Sequence, residues 1–97
     1  MNPHTFRFAV SMYMFYLYIL KSKKDEKLYI GSTNDLKRRF MEHNNGVVPS
    51  TKSRIPFVLK YYEAYHSEKD ARRRESSLKK DGRALAQLKR RIYESIQ

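Results

Sequence analysis

The chain has no cysteine among its 97 residues, and this absence excludes two kinds of small protein. Without thiols, neither a disulfide framework nor a thiolate zinc site can hold the fold together. A chain without cysteine fits a reducing compartment, and we predict a cytoplasmic location. Repeats, low-complexity tracts and linkers are also absent from the sequence. At this length we expect one domain with one modest hydrophobic core.

A hydrophobic run long enough to cross a bilayer is missing too. Phe8–Leu20 is apolar apart from Ser11, but these thirteen residues are too few to span a membrane. The run continues into Lys21–Lys24 and not into a small-residue cleavage site, unlike a secretory signal. Its aromatic and branched residues favour a buried strand, and we predict no membrane association. With Met12 or Met14 as an alternative start, residues 1–14 are predicted to be a loosely held N-terminal extension.

Acidic residues are few relative to basic ones. The chain carries 10 Asp and Glu against 21 Lys and Arg, for a net charge of +11 and a pI near 10.0. A charge of this size on a short chain indicates a polyanionic partner, most often nucleic acid. The alternatives are a basic protein without such a partner and a protein that rests on an acidic membrane.

Three strands are predicted from alternating and β-branched or aromatic segments. They are Phe15–Lys21, Lys27–Ser32 and Phe57–Tyr65. The polar residues 22–26 form a turn, so the first two strands make a hairpin within one sheet. We therefore expect a small three-stranded antiparallel sheet.

Three helices are predicted around this sheet. They are Asp35–Asn44, a helix from Ser67 or Glu68 to Lys80, and Arg83–Ser95. Ser32–Asn34 offers N-caps for the first helix, with Asp35 favourable in its first turn, and Asp81–Gly82 breaks the chain after the second. Val47–Arg54 is predicted to be a loop. The expected fold class is α/β of the α+β kind, with residues 15–97 forming a single domain.

An apolar stripe follows the third predicted helix at helical spacing. Its members are Leu85, Leu88, Ile92 and Ile96. The stripe is expected to cover the sheet, because a small sheet needs an apolar layer against it. The alternative is a surface that docks a protein partner or a second copy of the chain.

Two tyrosines eleven residues apart, Tyr18 and Tyr29, fall on the two strands of the hairpin. Arg39 and His43 follow on the first helix and border its buried side, because each lies three residues after an apolar position. A phenol and a guanidinium can relay a proton and hold a phosphate. Taken singly, the tyrosines could be sheet packing, Arg39 a solvated charge and His43 a helix-end residue.

Glu75 is predicted to lie on the inward side of the second helix. It is four residues after Ala71 and three before Leu78, the sparse apolar positions of that helix. An inward carboxylate must be paired or bind a metal ion. The alternative to a metal ligand is a buried salt bridge to Arg39 or another arginine.

This ordered set resembles the GIY-YIG nuclease family. The first triplet falls on Tyr16–Tyr18, with Tyr16 in place of glycine and leucine in place of isoleucine, and the second on Tyr29–Gly31. The family's arginine, a histidine of several branches and the metal-binding glutamate match Arg39, His43 and Glu75. The resemblance covers about residues 15–80 and is strongest to small stand-alone members. A late asparagine found in homing and repair members is absent, since no asparagine follows Asn45.

The resemblance implies a divalent-metal-dependent endonuclease that hydrolyses DNA and leaves 5′-phosphate and 3′-hydroxyl ends. Glu75 would hold Mg²⁺ or Mn²⁺, which suit one carboxylate plus waters and substrate oxygens. Tyr18 would be the general base with Tyr29 beside it, and His43 would receive or position a proton. Arg39 would clamp the scissile phosphate. Arg39 and the metal are expected to lower the pKa of Tyr18.

Little sequence specificity is expected, with selectivity for DNA structures of the kind handled in repair or recombination. The alternative is a non-catalytic basic module of the same fold that binds nucleic acid, such as an RNA- or ribosome-associated protein. Binding to the DNA backbone should weaken steeply with salt. The predicted backbone-binding residues are Lys37, Arg38, Lys52, Arg54, Arg72, Arg73 and Arg74.

Overall fold

The computed structural model describes residues 13–97, which form one sheet and three helices. The elements are β1 (Phe15–Ser22), β2 (Leu28–Thr33), α1 (Leu36–Asn44), β3 (Phe57–Tyr65), α2 (Glu68–Lys80) and α3 (Gly82–Arg91). The predicted α+β fold with a three-stranded antiparallel sheet is confirmed. Of the predicted N-terminal extension, all but Tyr13 and Met14 lies outside the described residues. Within residues 13–97, every helix is too short or too polar to cross a membrane.

The central strand of the sheet is β1, which pairs antiparallel with β2 on one side and β3 on the other. Its Tyr18 lies opposite Gly31 of β2 and Tyr62 of β3, and Leu20 lies opposite Tyr29. Because side chains alternate along a strand, all these residues share one face of the sheet. The hairpin therefore places both predicted catalytic tyrosines on the same face.

That face is covered by α1. Tyr18, Leu20 and Phe57 are buried there, and Leu36 and Phe40 of α1 pack against them. Burying each large apolar side chain stabilises the fold by about 1.5–3 kcal/mol. Leu36 and Phe40 are the apolar positions three residues before Arg39 and His43, so the predicted buried side of α1 is confirmed, and it places the next turn of the helix over the tyrosines.

The opposite face of the sheet is covered by α2 and α3. Its buried cluster consists of Leu17, Ile19, Ile30, Leu78 and Leu88. Leu85 and Ile92 of α3 pack against this cluster. Most of the predicted C-terminal stripe is therefore core, as a small sheet requires.

The segment between α1 and β3 is tied to the sheet by side chains. The amide of Asn44 donates to the carbonyl of Phe57 at 2.9 Å and accepts from the Phe57 N–H at 2.6 Å. Farther along, the predicted loop contains a short 3₁₀ helix, Lys52–Arg54, whose Arg54 donates to Asp25 at 2.6 Å. These contacts hold the buried Thr51 under α1.

Three helix boundaries differ from the sequence predictions. Asp35 does not lie in the first turn of α1 but caps it, because its carboxylate accepts from the Arg38 N–H at 3.0 Å. Asp81 similarly accepts from Arg83 N–H at 2.9 Å, so it caps α3 and Gly82 begins that helix. A single residue thus separates α2 from α3, because one aspartate serves both helix ends. The helix α3 ends at Arg91, short of the predicted end.

Candidate active site

Tyr18, Tyr29 and His43 form one aromatic cluster beneath α1. The ring centre of His43 lies 5.0 Å from that of Tyr29 and 5.8 Å from that of Tyr18. The two tyrosine ring centres are 6.3 Å apart, and Phe57 lies 5.9 Å from His43. The fold therefore brings three of the predicted site residues into contact across two strands and a helix.

A buried chain of hydrogen bonds runs through this cluster. The Tyr18 hydroxyl is 2.8 Å from Nε2 of His43, and Nδ1 of His43 is 2.8 Å from the Thr51 hydroxyl. Tyr18 is only 2% exposed, and His43 and Thr51 are fully buried. Thr51 can donate to the Val48 carbonyl at 3.5 Å, which leaves its oxygen free to accept from Nδ1–H. In that arrangement Nε2 accepts the proton of the Tyr18 hydroxyl.

The electrostatic environment keeps both partners of this hydrogen bond neutral. Burial raises the pKa of the Tyr18 phenol to about 12, although the guanidinium of Arg39 beside it acts in the opposite direction. Arg39 thus acts in the expected direction, but desolvation penalises phenolate more strongly, so the pKa of the phenol in the protein alone lies above its ordinary value. Burial lowers the pKa of His43, and the charge of Arg39 adds to that effect. A neutral phenol therefore faces a neutral imidazole.

Arg39 connects the buried tyrosine to a cleft at the surface. It lies on α1 beside the Tyr18 hydroxyl, and its Nη1 is 3.2 Å from the Glu42 carboxylate. The cleft, of about 400 Å³, lies between β2, α1 and α2, and we call it the Arg39 cleft. Its lining includes Ser32, Asn34, Arg38, Arg39 and Arg72. The lining also contains Glu42 and Glu68, which pair with Arg39 and Arg72, respectively. The three arginines still exceed the two carboxylates, and this excess of positive charge suits a phosphate group.

Gly31 is needed because Tyr18 lies directly against its backbone. A Cβ atom at this position would be 2.5 Å from the Tyr18 hydroxyl oxygen and 2.6 Å from the ring carbon that bears it. The second triplet therefore ends in glycine for a packing reason, since only a residue without a side chain leaves room for the phenol.

Glu75 reaches the β2 edge of the sheet from α2. One carboxylate oxygen accepts from the Ser32 hydroxyl at 2.5 Å, and the other is 2.7 Å from the Lys79 ammonium. The side chain is 23% exposed. Burial alone would raise its pKa, but Lys79 and Ser32 outweigh that effect and the pKa lies below its ordinary value. The salt bridge considered as an alternative thus exists, with Lys79 in place of an arginine.

Lys79 also links this carboxylate to the aromatic cluster, because its ammonium lies 5.8 Å from the Tyr29 ring centre. Within residues 13–97, no group of three His, Cys, Asp or Glu side chains could enclose a metal ion. An ionised Glu75 that already attracts one cation, with the Ser32 hydroxyl beside it, fits Mg²⁺. This ion commonly uses one carboxylate together with waters and phosphate oxygens. A bound cation would compete with Lys79 for the carboxylate.

The predicted backbone-binding residues fall into two groups. Arg54 and Arg74 are engaged in partly buried two-bond contacts with Asp25 and Glu63, respectively. Their guanidinium groups are therefore committed to holding the fold. The exposed members are Lys37, Arg38, Lys52, Arg72 and Arg73.

Three residues of the site escaped prediction. Thr51 lies in a loop, where no periodicity marks a residue as buried. Ser32 follows the second triplet, and the alternation of β2 places it on the face opposite Gly31, toward α2. The sequence did contain a signal for Lys79, because it lies four residues after Glu75 on the same helix, a spacing that favours an ion pair.

Comparisons with known proteins agree with this geometry. The GIY-YIG catalytic domain matches residues 14–92. A UPF0213 protein of Clostridium perfringens (strain 13 / Type A) is 46% identical over 68 residues, 69% of this chain and 72% of that protein. A UPF0213 protein of Streptococcus agalactiae serotype V is 41% identical over 69 residues, 70% and 77% of the two chains.

The fold of a further relative has been solved in solution. The NMR structure of the UPF0213 protein BH0048 from Bacillus halodurans aligns with a TM-score of 0.50 at 34% identity, over 84% of this chain and 92% of that chain. The resemblance inferred from the triplets and their partners is confirmed. This chain therefore belongs to the GIY-YIG catalytic domain family, a membership that implies nuclease activity in general.

Proposed function

We propose that the protein is a divalent-metal-dependent endonuclease that hydrolyses DNA phosphodiester bonds with little sequence specificity. The observation that carries the proposal is the buried chain from Tyr18 through His43 to Thr51, which adjoins an arginine at a basic cleft. A buried phenol needs a hydrogen-bond partner, and an imidazole that is held neutral can in addition accept its proton. The net charge of +11 supports a polyanionic substrate.

The Arg39 cleft would hold the scissile phosphate. Arg39, Arg38 and Arg72 line it from two helices, so two non-ester oxygens can be contacted from different directions. Arg39 is the member beside the Tyr18 hydroxyl, and it would stabilise the charge that develops on the phosphate during attack. The other two would orient the backbone on either side.

Proton removal from the attacking water would pass through Tyr18 to His43. As the water oxygen bonds to phosphorus, its proton moves to the Tyr18 oxygen, and the phenol proton moves to Nε2 of His43. The P–O3′ bond breaks, which leaves a 5′-phosphate and a 3′-hydroxyl group once the leaving oxygen is protonated. With a pKa of about 12 for the phenol, this relay avoids a free phenolate. The low pKa of His43 keeps it ready to accept the proton.

Mg²⁺ or Mn²⁺ would be held by Glu75, with waters and phosphate oxygens completing its coordination. When bound, it supplies positive charge to the phosphate and lowers the pKa of a bound water. Ser32 would orient the Glu75 carboxylate through the 2.5 Å hydrogen bond. Lys79 would neutralise the carboxylate between turnovers.

A second candidate function is a DNA- or RNA-binding module that does not cut. The observation in its favour is that both oxygens of Glu75 already have partners, so no ion is needed to satisfy the carboxylate. Selectivity for a branched or nicked structure, and a place in DNA repair or recombination, are further parts of the nuclease proposal. One experiment distinguishes the nuclease from the non-cutting module.

The experiment compares single-stranded, duplex, nicked and branched DNA, each with Mg²⁺, with Mn²⁺ and with chelator. We expect cleavage only with a divalent ion, and products that a ligase can rejoin through their 5′-phosphate. Glu75→Gln should abolish cleavage while binding in chelator persists. Glu94→Gln makes the same charge change at an exposed residue and should cut normally. Binding without cleavage of any substrate would favour the second candidate, and normal cutting by Glu75→Gln would exclude Glu75 as the metal ligand.

A further inference from the structure

A second concave surface lies on the sheet face that carries Tyr18, beyond the part that α1 covers. It is a groove of about 630 Å³ between α1 and β3, and we call it the tyrosine groove. Its apolar lining consists of Tyr16, Leu36, Phe40, Leu59 and Tyr62. Tyr62 is 51% exposed, whereas Tyr18, its neighbour on β1, is buried. An exposed ring beside partly buried apolar side chains is a candidate binding surface.

Tyr16 and Tyr62, the two tyrosines of the groove, pack against each other. Their ring centres are 5.8 Å apart with an interplanar angle of 69°, an edge-to-face arrangement. Such a pair holds the Tyr62 ring in place while leaving ring surface uncovered. Tyr16 occupies the position where the family's first triplet has glycine. The ring contact between Tyr16 and Tyr62 therefore exists only because this chain has tyrosine in place of that glycine.

The charges around the groove match a nucleotide and not an apolar peptide. Lys37 lines the groove and is exposed, and the acidic Asp35 on the same rim is paired with Arg38 at 3.7 Å. A nucleotide offers a flat base for the rings and a phosphate for the lysine. Together, Tyr62 and Lys37 therefore present both features that a nucleotide needs.

The groove also adjoins the Arg39 cleft. Asn34 lines both depressions, so they adjoin at this residue. Tyr16 is two residues from Tyr18 on the same face of β1, which is a separation of about 7 Å along a strand. A DNA strand that places a phosphate in the cleft would therefore bring a neighbouring base to the groove.

We propose that the tyrosine groove binds an unpaired nucleobase, stacked on Tyr62, next to the phosphate held in the Arg39 cleft. A base within a duplex is stacked and paired already, and it cannot reach a side-chain ring without being extruded. The groove therefore selects single-stranded DNA and junctions that carry unpaired bases over continuous duplex. The cleavage consequence rests on the proposed nuclease function, whereas the binding site does not.

The test measures binding of single-stranded oligothymidylate and of blunt duplex DNA in chelator, at one fixed salt concentration. Removing a stacking ring weakens binding by about 5- to 150-fold per base. We expect Tyr62→Ala to lose affinity in this range for the single strand and to bind duplex as the wild type does. Tyr62→Phe retains the ring and should bind normally.

A matched control is available at Tyr93, which is 60% exposed but lies after α3 and outside the groove. Tyr93→Ala removes the same ring and should leave both affinities unchanged. Tyr62→Phe keeps the ring contact with Tyr16 and should melt as the wild type does, whereas Tyr62→Ala removes a pair worth about 0.5–1.5 kcal/mol. Affinities are therefore compared at a temperature where every variant is folded. A 2-aminopurine base in the oligonucleotide should lose fluorescence on binding wild-type protein and not Tyr62→Ala.

Three results would overturn the groove proposal: unchanged single-strand affinity in Tyr62→Ala, an equal loss on duplex, or an equal loss in Tyr93→Ala. The affinities behind all three results are measured in the presence of chelator, where no cleavage takes place. If the protein cuts no DNA but Tyr62→Ala shows the selective loss, only the nuclease proposal fails. If it cuts DNA but Tyr62→Ala binds normally, only the groove proposal fails.

Discussion

Gly31→Ala tests whether the close packing of Tyr18 on β2 is needed for both stability and activity. The new Cβ would lie 2.5 Å from the Tyr18 hydroxyl oxygen. Non-bonded carbon contacts lie at about 3.5–4.0 Å, so the phenol must retreat by about 1 Å. Tyr18 is 2% exposed, so a retreat of its ring presses on the side chains packed around it. The hydrogen bond to His43 at 2.8 Å must therefore lengthen or break.

The expected magnitude has two parts. Forcing an extra carbon into a packed core costs about 1–3 kcal/mol, and losing the hydrogen bond costs about 0.5–1.5 kcal/mol. For a chain of this size, each kcal/mol lowers Tm by about 4–8 °C. Under conditions where the variant remains folded, a shift of this size at the phenol should slow cleavage about 10²-fold.

Thermal melts and cleavage rates on one substrate decide the matter, with Gly82→Ala as the control. A Cβ at Gly82 meets no atom within 4 Å, and the residue begins α3, where alanine is favoured. Gly82→Ala should therefore melt at or above the wild-type temperature and cut normally. A Gly31→Ala protein with wild-type Tm and rate would refute the packing argument. So would equal destabilisation by the two changes.

Four other predictions concern the same buried network and the ion pair between Glu63 and Arg74. Tyr18→Phe should lose about 0.5–1.5 kcal/mol of stability with the hydrogen bond to His43 and should cut about 10²–10⁴-fold more slowly, and a wild-type rate would remove the phenol from the mechanism. Because the pKa of His43 in the free protein is lowered, kcat/KM should begin to fall only below pH 6.5 as acid is added, and a fall above that value would contradict a neutral imidazole. Thr51→Val should slow cleavage about 10–100-fold and change the ¹⁵N chemical shifts of the His43 ring, whereas Thr51→Ser should preserve both. Unchanged shifts in Thr51→Val would show that Thr51 does not fix the tautomer of His43. Burial would raise the pKa of Glu63, but hydrogen bonds from Arg74 and two tyrosines outweigh it and hold that pKa below its ordinary value. The ion pair therefore stabilises the fold fully above the pKa that Glu63 has in the unfolded chain. This stabilisation is lost as the pH falls through the pKa that Glu63 has in the folded protein. Arg74→Ala should therefore cost about 1.5–3 kcal/mol at neutral pH, with the difference from wild type shrinking in acid, and a constant difference in melts across that range would refute the coupling.

The order of strands and helices could be predicted from the sequence because local patterns determine it. Alternation marked β1 and β3, and helical spacing marked the apolar positions of α1 and α3. The spacing of Tyr18, Tyr29 and Arg39 also sufficed to suggest a family, because each residue lies on a regular element. Helix ends were less predictable, since Asp35 and Asp81 could equally well cap a helix or lie inside one.

Other features were decided only by the tertiary structure. Thr51 became a partner of His43 because a loop with no periodic pattern folds beneath α1. The pKa of Tyr18 depends on how deeply α1 buries it, and no sequence motif encodes the balance between desolvation and a nearby guanidinium. Arg74, one of three consecutive arginines, is distinguished from its neighbours only by its contact with the carboxylate of Glu63 on β3, on the sheet face that α2 covers.

The sequence by itself determined which chemical groups are available and on which elements they lie, since both follow from residue identity and local periodicity. The tertiary structure decided which groups meet. Burial, long-range hydrogen bonds and the close approach of Tyr18 to Gly31 arise only when β1, β2 and α1 pack together. These are pairwise properties of residues distant in the chain, so no local pattern contains them.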